Sequence, residues 1–155
     1  MISDPGLTCQ DSDYAAQIQA VLDDLQQMQA VPRVVTNPEE LEALEGEIRH
    51  CTNRLSSLLL GLHLQHSLDS EDLKTEQDLL VSQWPKPLKN DGRVQVWVRT
   101  AGGDRVPVWV TYYRRKGQRR RRKRYAGLYA GLVLLGIYDR CTPALAAEDS
   151  LLAAM

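Results

Sequence analysis

Apolar residues near the start of the chain recur at the spacing of one helical face. The first stripe steps by four, three, four and three residues through Tyr14, Ile18, Val21, Leu25 and Met28. Aspartate and serine at positions 11–13 offer N-cap oxygens just before it. The pattern predicts an amphipathic helix of about 17 residues that ends before Pro32.

A second apolar stripe alternates steps of three and four residues without a break. Its members are Leu41, Leu44, Ile48, Cys51, Leu55, Leu58 and Leu62. Asn37 and Pro38 supply a cap and a first helical residue, so this heptad pattern predicts a helix over 38–66. A weaker third helix is predicted over 70–83.

The first two helices share this period and are joined by the short segment 30–36. We therefore favour an antiparallel helical hairpin over a parallel coiled coil. In a parallel coiled coil, glutamates of the two helices would face each other along its flanks and repel. If the stripe is a packed seam, aspartate at Ile48 or Leu55 should collapse the helices. Self-association or a partner helix remains open through Leu41, Leu44, Ile48, Leu55, Leu58 and Leu62.

The period changes to two after residues 84–87. Valines alternate with other residues within 94–98 and 106–110, and Ala101–Asp104 lies between the two runs. This pattern predicts a β-hairpin, and Pro107, which has no N–H to donate, indicates a free strand edge.

Matching the valine faces of the hairpin requires a loop of odd length, because a one-residue slip would turn one strand over. Pairing Ala101 with Arg105 satisfies this condition and sets Trp97 opposite Trp109. The face away from the valines is then expected to hold Trp97, Trp109 and Tyr113.

The last quarter of the chain begins with a basic run. Nine of the eleven residues in 114–124 are arginine or lysine, which predicts a loop because such a block repels itself. A small, glycine-containing apolar stretch follows over 125–138, and Thr142 with Pro143 resembles the start of a short helix.

These elements predict an α+β fold with a helical hairpin, a β-hairpin, a basic loop and short C-terminal helices. The expected domains are an acidic helical module over 1–83, a linker over 84–92, and an incomplete region over 93–155. The net charge of −1 hides this division. Residues 1–85 hold 4 basic and 15 acidic side chains, and residues 86–155 hold 15 basic and 5 acidic ones.

Several classes of protein do not fit the sequence. Its three cysteines are far apart, without a zinc-type pair, and its start lacks the features of a signal peptide. The longest uncharged apolar stretch, 125–138, is shorter than the roughly 18 residues of a membrane span. We expect a cytoplasmic protein with no membrane contact, no cofactor, no metal and no catalytic residues.

The basic run carries the clearest chemistry, since guanidinium groups neutralise phosphates. The neighbouring tryptophans could stack on bases, or they could simply cover a helix. The candidate nucleic-acid-binding residues are Trp97, Arg99, Trp109, Arg114, Arg115, Lys116, Arg119, Arg120, Arg121, Arg122, Lys123 and Arg124.

Roughly residues 90–155 resemble the N-terminal region of bacterial insertion-sequence transposases of the Kra type, which carry a DDE nuclease domain. The resemblance rests on 94–98, 110–114, 127–137 and 141–148. In that family a strand pair ending in tyrosine precedes a "YP-x-L-x-x-LG" element and an "(S/T)PxL" helix start. The matching residues are Tyr129, Leu132, Leu135, Gly136, Thr142, Pro143 and Leu145, and Ala130 replaces the usual proline.

The resemblance implies a truncated or split transposase, because the chain ends at Met155, where the nuclease would begin. We therefore expect a DNA-binding and assembly fragment that is not an enzyme. The alternative is a helical adaptor that binds a protein partner and uses the basic loop only for localisation.

Overall fold

The computed structural model describes residues 5–117 and 127–154. Along these residues the helices and strands are α1 Pro5–Ala30, α2 Pro38–Leu68, α3 Glu71–Gln83, β1 Leu88–Arg99, β2 Arg105–Arg115, β3 Gly127–Leu128, α4 Ala130–Leu134 and α5 Pro143–Ala154. The strands form an antiparallel sheet in the order β1-β2-β3. The fold is α+β, which confirms the predicted class.

Local capping explains where the helices begin. The Asn37 Oδ1 accepts the Glu40 N–H at 2.9 Å ahead of α2, and the Ser70 Oγ accepts the Leu73 N–H at 3.2 Å ahead of α3. Both helices follow the predicted ranges closely. The predicted start of α1 was wrong: its 26 residues begin at Pro5, because helical backbone continues ahead of the apolar stripe, with proline in the first turn.

The chain divides into two compact units. One contains the residues up to Leu62 together with Gly102–Asp104, and the other contains His63–Ala101 together with the residues from Arg105 onward. The expected linker, 84–92, lies within the second unit, and β1 already begins at Leu88. The predicted division into a helical module over 1–83, a linker over 84–92 and an incomplete region over 93–155 stays a prediction.

In the first unit, α1 and α2 form the predicted antiparallel hairpin. Tyr14, near the start of α1, packs close to Gly61, near the end of α2. The Arg54 Nη2 donates to the Gln17 Oε1 at 3.2 Å. The buried cluster contains Tyr14, Val21 and Leu58, with Ile18, Leu25, Leu55 and Leu62 packed around it.

The sequence suggested a packed seam along the whole heptad stripe, but only part of the stripe is packed. Leu41 is 57% exposed and Ile48 is 43% exposed, whereas Leu58 is buried. The helical surface of α1 ends at Ala30, and the residues that follow are not helical. The stripe is therefore largely exposed in its N-terminal half and packed against α1 in its C-terminal half.

In the second unit, β1 and β2 form the predicted hairpin with a different register. Trp97 pairs with Pro107 and Gln95 pairs with Trp109, so the expected Trp97–Trp109 pair was wrong. Residues 100–104 separate the last pair, Arg99 and Arg105. This loop has the predicted odd length but includes buried Thr100, and the two-residue shift leaves every side chain on its predicted face.

The valines of both strands form the main core of this unit. They pack against Leu64 and Leu68 at the end of α2, and against Leu132 and Ile137 further along the chain. Each fully buried valine contributes about 1.5–3 kcal/mol relative to an exposed one. Within the described residues, β1 is the only strand beside β2 at Pro107, so the opposite edge of β2 has no neighbouring strand there, as the sequence predicted.

Two residue pairs join the short strand β3 to the end of β2. Tyr113 pairs with Leu128, and Arg114 pairs with Gly127. Further on, Pro143 opens α5 as predicted, and the Thr142 Oγ1 accepts the Leu145 N–H at 3.4 Å.

Candidate nucleic-acid interface

One face of the β1–β2 hairpin carries aromatic and basic side chains instead of valines. Because side chains alternate along each strand, eight residues lie on the side of the hairpin that faces away from the core. We call this set the aromatic–basic face: Arg93, Gln95, Trp97, Arg99, Arg105, Pro107, Trp109 and Thr111. Trp97 is 48% exposed there, while Val96 and Val98 on either side are buried.

Trp97, Pro107 and Trp109 form an apolar strip across this face. Trp97 lies opposite Pro107, and Trp109 is two residues further along β2. Such diagonal neighbours are about 7–8 Å apart on a sheet. The two indoles are therefore offset along the strands, where the predicted register would have placed them opposite each other.

Arg99 and Arg105 are directly opposite each other at the loop end of the face. The Arg99 backbone is fixed on its outer side, because its N–H donates to the Arg140 oxygen at 2.7 Å and its oxygen accepts from Thr142 at 3.0 Å. The Arg99 Nη2 also donates to the Cys141 Sγ at 3.0 Å. Two cations are thus held together on a partly apolar surface.

Arg93 extends the basic character to the other end of the face. Its guanidinium forms an ion pair with Asp69 and donates to the Trp109 carbonyl oxygen at 3.2 Å. Sequence reasoning missed this residue, although the period of two places it on the same face as Trp97. Asp69 gave no signal, because it reaches the sheet from the turn between α2 and α3.

The side-chain amide of buried Gln65 binds both the N–H and the carbonyl oxygen of the Trp109 backbone. The Gln65 Oε1 accepts the Trp109 N–H at 2.7 Å, and the Gln65 Nε2 donates to the Trp109 oxygen at 3.2 Å. The same Nε2 donates to Asp69 at 3.2 Å. This contact satisfies the outer edge of β2 where no strand pairs with it.

The predicted basic residues are in three different situations. Arg114 is partly buried, with its Nε 3.4 Å from the Asp91 Oδ1. Arg115 ends β2, and Lys116 is exposed and donates its N–H to the Pro87 oxygen at 3.2 Å. Arg119, Arg120, Arg121, Arg122, Lys123 and Arg124 lie outside the described residues.

The sequence suggested that Tyr113 shares an accessible aromatic face with the tryptophans, but its side chain is not accessible. It is buried in a cluster with Leu128 and Ala130, and burial raises its pKa. Tyr112 is more open and its ring centroid lies 5.1 Å from that of Tyr129. The tyrosines at the end of β2 therefore mainly pack the sheet.

The described part of the chain offers little for other chemistry. It contains no group of three histidine, cysteine or acidic residues that could hold a metal. An open cleft of about 470 Å³ is lined by Ser67, Ser70, Asp72, Leu73, Thr75 and Glu76, and its carboxylates would repel phosphate. Among the described residues, no helix is long and apolar enough to cross a membrane.

No protein-family model matches the chain, and no significant match was found among curated proteins or solved structures. The functional argument therefore rests on the geometry and charge of the aromatic–basic face and of the segment that follows it.

Proposed function

We propose that this chain binds DNA through the aromatic–basic face and the basic segment 114–124. Its role would be that of a DNA-binding and assembly module of the transposase type, without nuclease activity of its own. The transposase origin and the lack of nuclease activity are expectations from the sequence resemblance. The DNA binding has separate support from the arrangement of β1 and β2.

The observation that carries this proposal is that β2 carries basic residues of both the aromatic–basic face and the basic segment. β2 contributes Arg105 and Trp109 to the face and then continues directly into Arg114 and Arg115. Arg114 also pairs with Gly127, the first described residue after the segment. Basic residues of the face and of the segment therefore lie on the same strand, towards its two ends.

The charge of this region favours phosphate as the ligand. Residues 86–155 carry 15 basic and 5 acidic side chains, and phosphate contacts give strong, salt-dependent affinity. Such contacts fix the position of DNA without reading its sequence. We propose binding with weak sequence preference, in which the arginines supply most of the affinity.

The double variant R99Q/R105Q tests the role of the face in DNA binding. Loss of two phosphate contacts should reduce the slope of log affinity against log salt concentration by about 1.8, measured by fluorescence anisotropy on a labelled duplex. The control R49Q/R54Q removes the same charge from exposed positions of α2 and should change the slope far less. Equal effects of the two variants would show that only net charge matters.

The exposed half of the α2 stripe favours a second candidate, a protein-interaction adaptor. Leu41 and Ile48 would form part of its contact surface. An adaptor requires a stoichiometric protein complex that the variant L41S/I48S cannot form, together with no retention of the chain on immobilised DNA. Retention on DNA that persists in this variant supports the first proposal instead.

A further inference from the structure

We propose that the aromatic–basic face binds single-stranded DNA by stacking unpaired bases on Trp97 and Trp109. This inference rests on the proposed DNA binding and specifies the form of DNA that the face accepts. The exposure of Trp97, its separation from half-buried Trp109, the arginines beside them and the hydrogen bonds that hold the Trp109 backbone all contribute to it.

The exposed indole of Trp97 offers a flat apolar surface to a ligand. Nearly half of this large side chain is open to solvent, in the middle of a strand whose other face is fully packed. Every base has a π face, so stacking on an exposed aromatic ring is favourable and tolerant of sequence. A protein chain that only needed a solvated face here would be expected to carry a polar residue.

The separation of the two tryptophans favours an extended strand over a duplex. Their diagonal placement on the sheet puts them about 7–8 Å apart. The bases of a duplex are stacked at about 3.4 Å and do not expose their π faces. Only a strand with unpaired, separated bases can place successive bases on Trp97 and Trp109.

The arginine pair at the loop end of the strip suits the backbone of such a strand, whereas Arg93 at the other end is already ion-paired with Asp69. Arg99 and Arg105 are opposite each other, and like charges in this arrangement repel. A phosphate between them would remove that repulsion and form charge-assisted hydrogen bonds. Arg93, at the other end, is oriented by Asp69 across β2.

The support beneath Trp109 is rigid before any ligand binds. Gln65 binds both its backbone N–H and its carbonyl oxygen, and Asp69 links Gln65 to Arg93. A platform that is already ordered loses little conformational entropy on binding. Trp109 would thus form the fixed part of the platform and Trp97 its more accessible part.

The test compares two probes of equal charge on the full chain. One is a labelled 15-mer of thymidine, (dT)15, and the other is a 15-mer in which every nucleotide is abasic. Stacking predicts that the wild-type protein binds (dT)15 about tenfold more tightly than the abasic strand. W97L should lose most of this preference while keeping an apolar residue in the strand, because only the less exposed Trp109 remains, and W97F should retain most of it.

Trp84 provides the matched control, because it is exposed to a similar degree and lies outside the face, at the C-terminal end of α3. W84L should keep the preference for (dT)15. If wild type binds both strands equally, or W97L keeps the preference, base stacking on this face is refuted while DNA binding stands. If no DNA binds even at low salt, both proposals fail.

Discussion

At the scale of single residues, Gly61 is the position where α2 has least room for a side chain. A Cβ at this position would lie 2.7 Å from the Cε1 atom of the Tyr14 ring. The ring itself is buried with Val21 and Leu58, so it cannot move aside freely. Gly46, on the same helix, has no such neighbour within 4 Å.

This contrast predicts opposite effects for the same substitution. G61A should destabilise the protein by about 1–3 kcal/mol, because overpacking exceeds the gain in helix propensity. G46A should stabilise it by up to about 1 kcal/mol. Urea unfolding of both variants measures the difference, and a G61A protein at least as stable as wild type would contradict this packing of Tyr14.

Tyr14 also predicts how stability depends on alkaline pH. Burial raises its pKa from the usual 10.0 to about 12. The unfolded chain therefore releases the phenolic proton at lower pH than the folded one, so the contribution of Tyr14 is complete below pH 10 and is lost as pH rises towards 12. A two-unit difference corresponds to at most about 3 kcal/mol.

The variant Y14F isolates this contribution. Its unfolding free energy should fall less between pH 9 and 12 than that of wild type, as measured by urea titration at each pH. Identical slopes for the two proteins would mean that the Tyr14 hydroxyl ionises as readily in the folded state as in the unfolded one.

At the scale of elements, the α2 stripe predicts a difference along one helix. L58D places a charge in the buried cluster of the first unit and should cost several kcal/mol. I48D changes a residue that is 43% exposed and should cost about 1 kcal/mol or less. Thermal melts by circular dichroism would separate them, and similar melting temperatures would contradict the partial seam.

The sequence predicted the helices and strands where local chemistry determines them. The heptad stripe with Asn37 and Pro38 placed α2, and the alternating valines placed β1 and β2, because side-chain period follows directly from backbone geometry. The partial exposure of the stripe could not be predicted in this way. It depends on how closely α1 packs along α2, which is a tertiary contact that the apolar period of one helix does not encode.

The site was predictable only in part for the same reason. Alternation correctly placed Trp97 and Trp109 on one face, but their pairing depends on the loop, which includes buried Thr100. The links from Gln65 and Asp69 to β2 join residues far apart in sequence. No local pattern encodes such contacts, so the support beneath the face was not foreseen.

The dominant feature of the molecule as a whole is the separation of charge along the chain. A net charge of −1 conceals a strongly acidic first half and a strongly basic second half. The excess acids of residues 1–85 could in principle neutralise the basic segment internally. DNA binding requires that phosphate competes successfully with those carboxylates, and salt dependence measures that competition.

The most direct measurement is the salt dependence of duplex binding by wild type and by the variant R119Q/R120Q/R121Q/R122Q, using fluorescence anisotropy. Contact with about five phosphates predicts a slope of log affinity against log salt concentration near −4.5 for wild type. The variant should flatten this slope by several units. Absence of binding at low salt, or the same slope in both proteins, would contradict DNA binding through this segment.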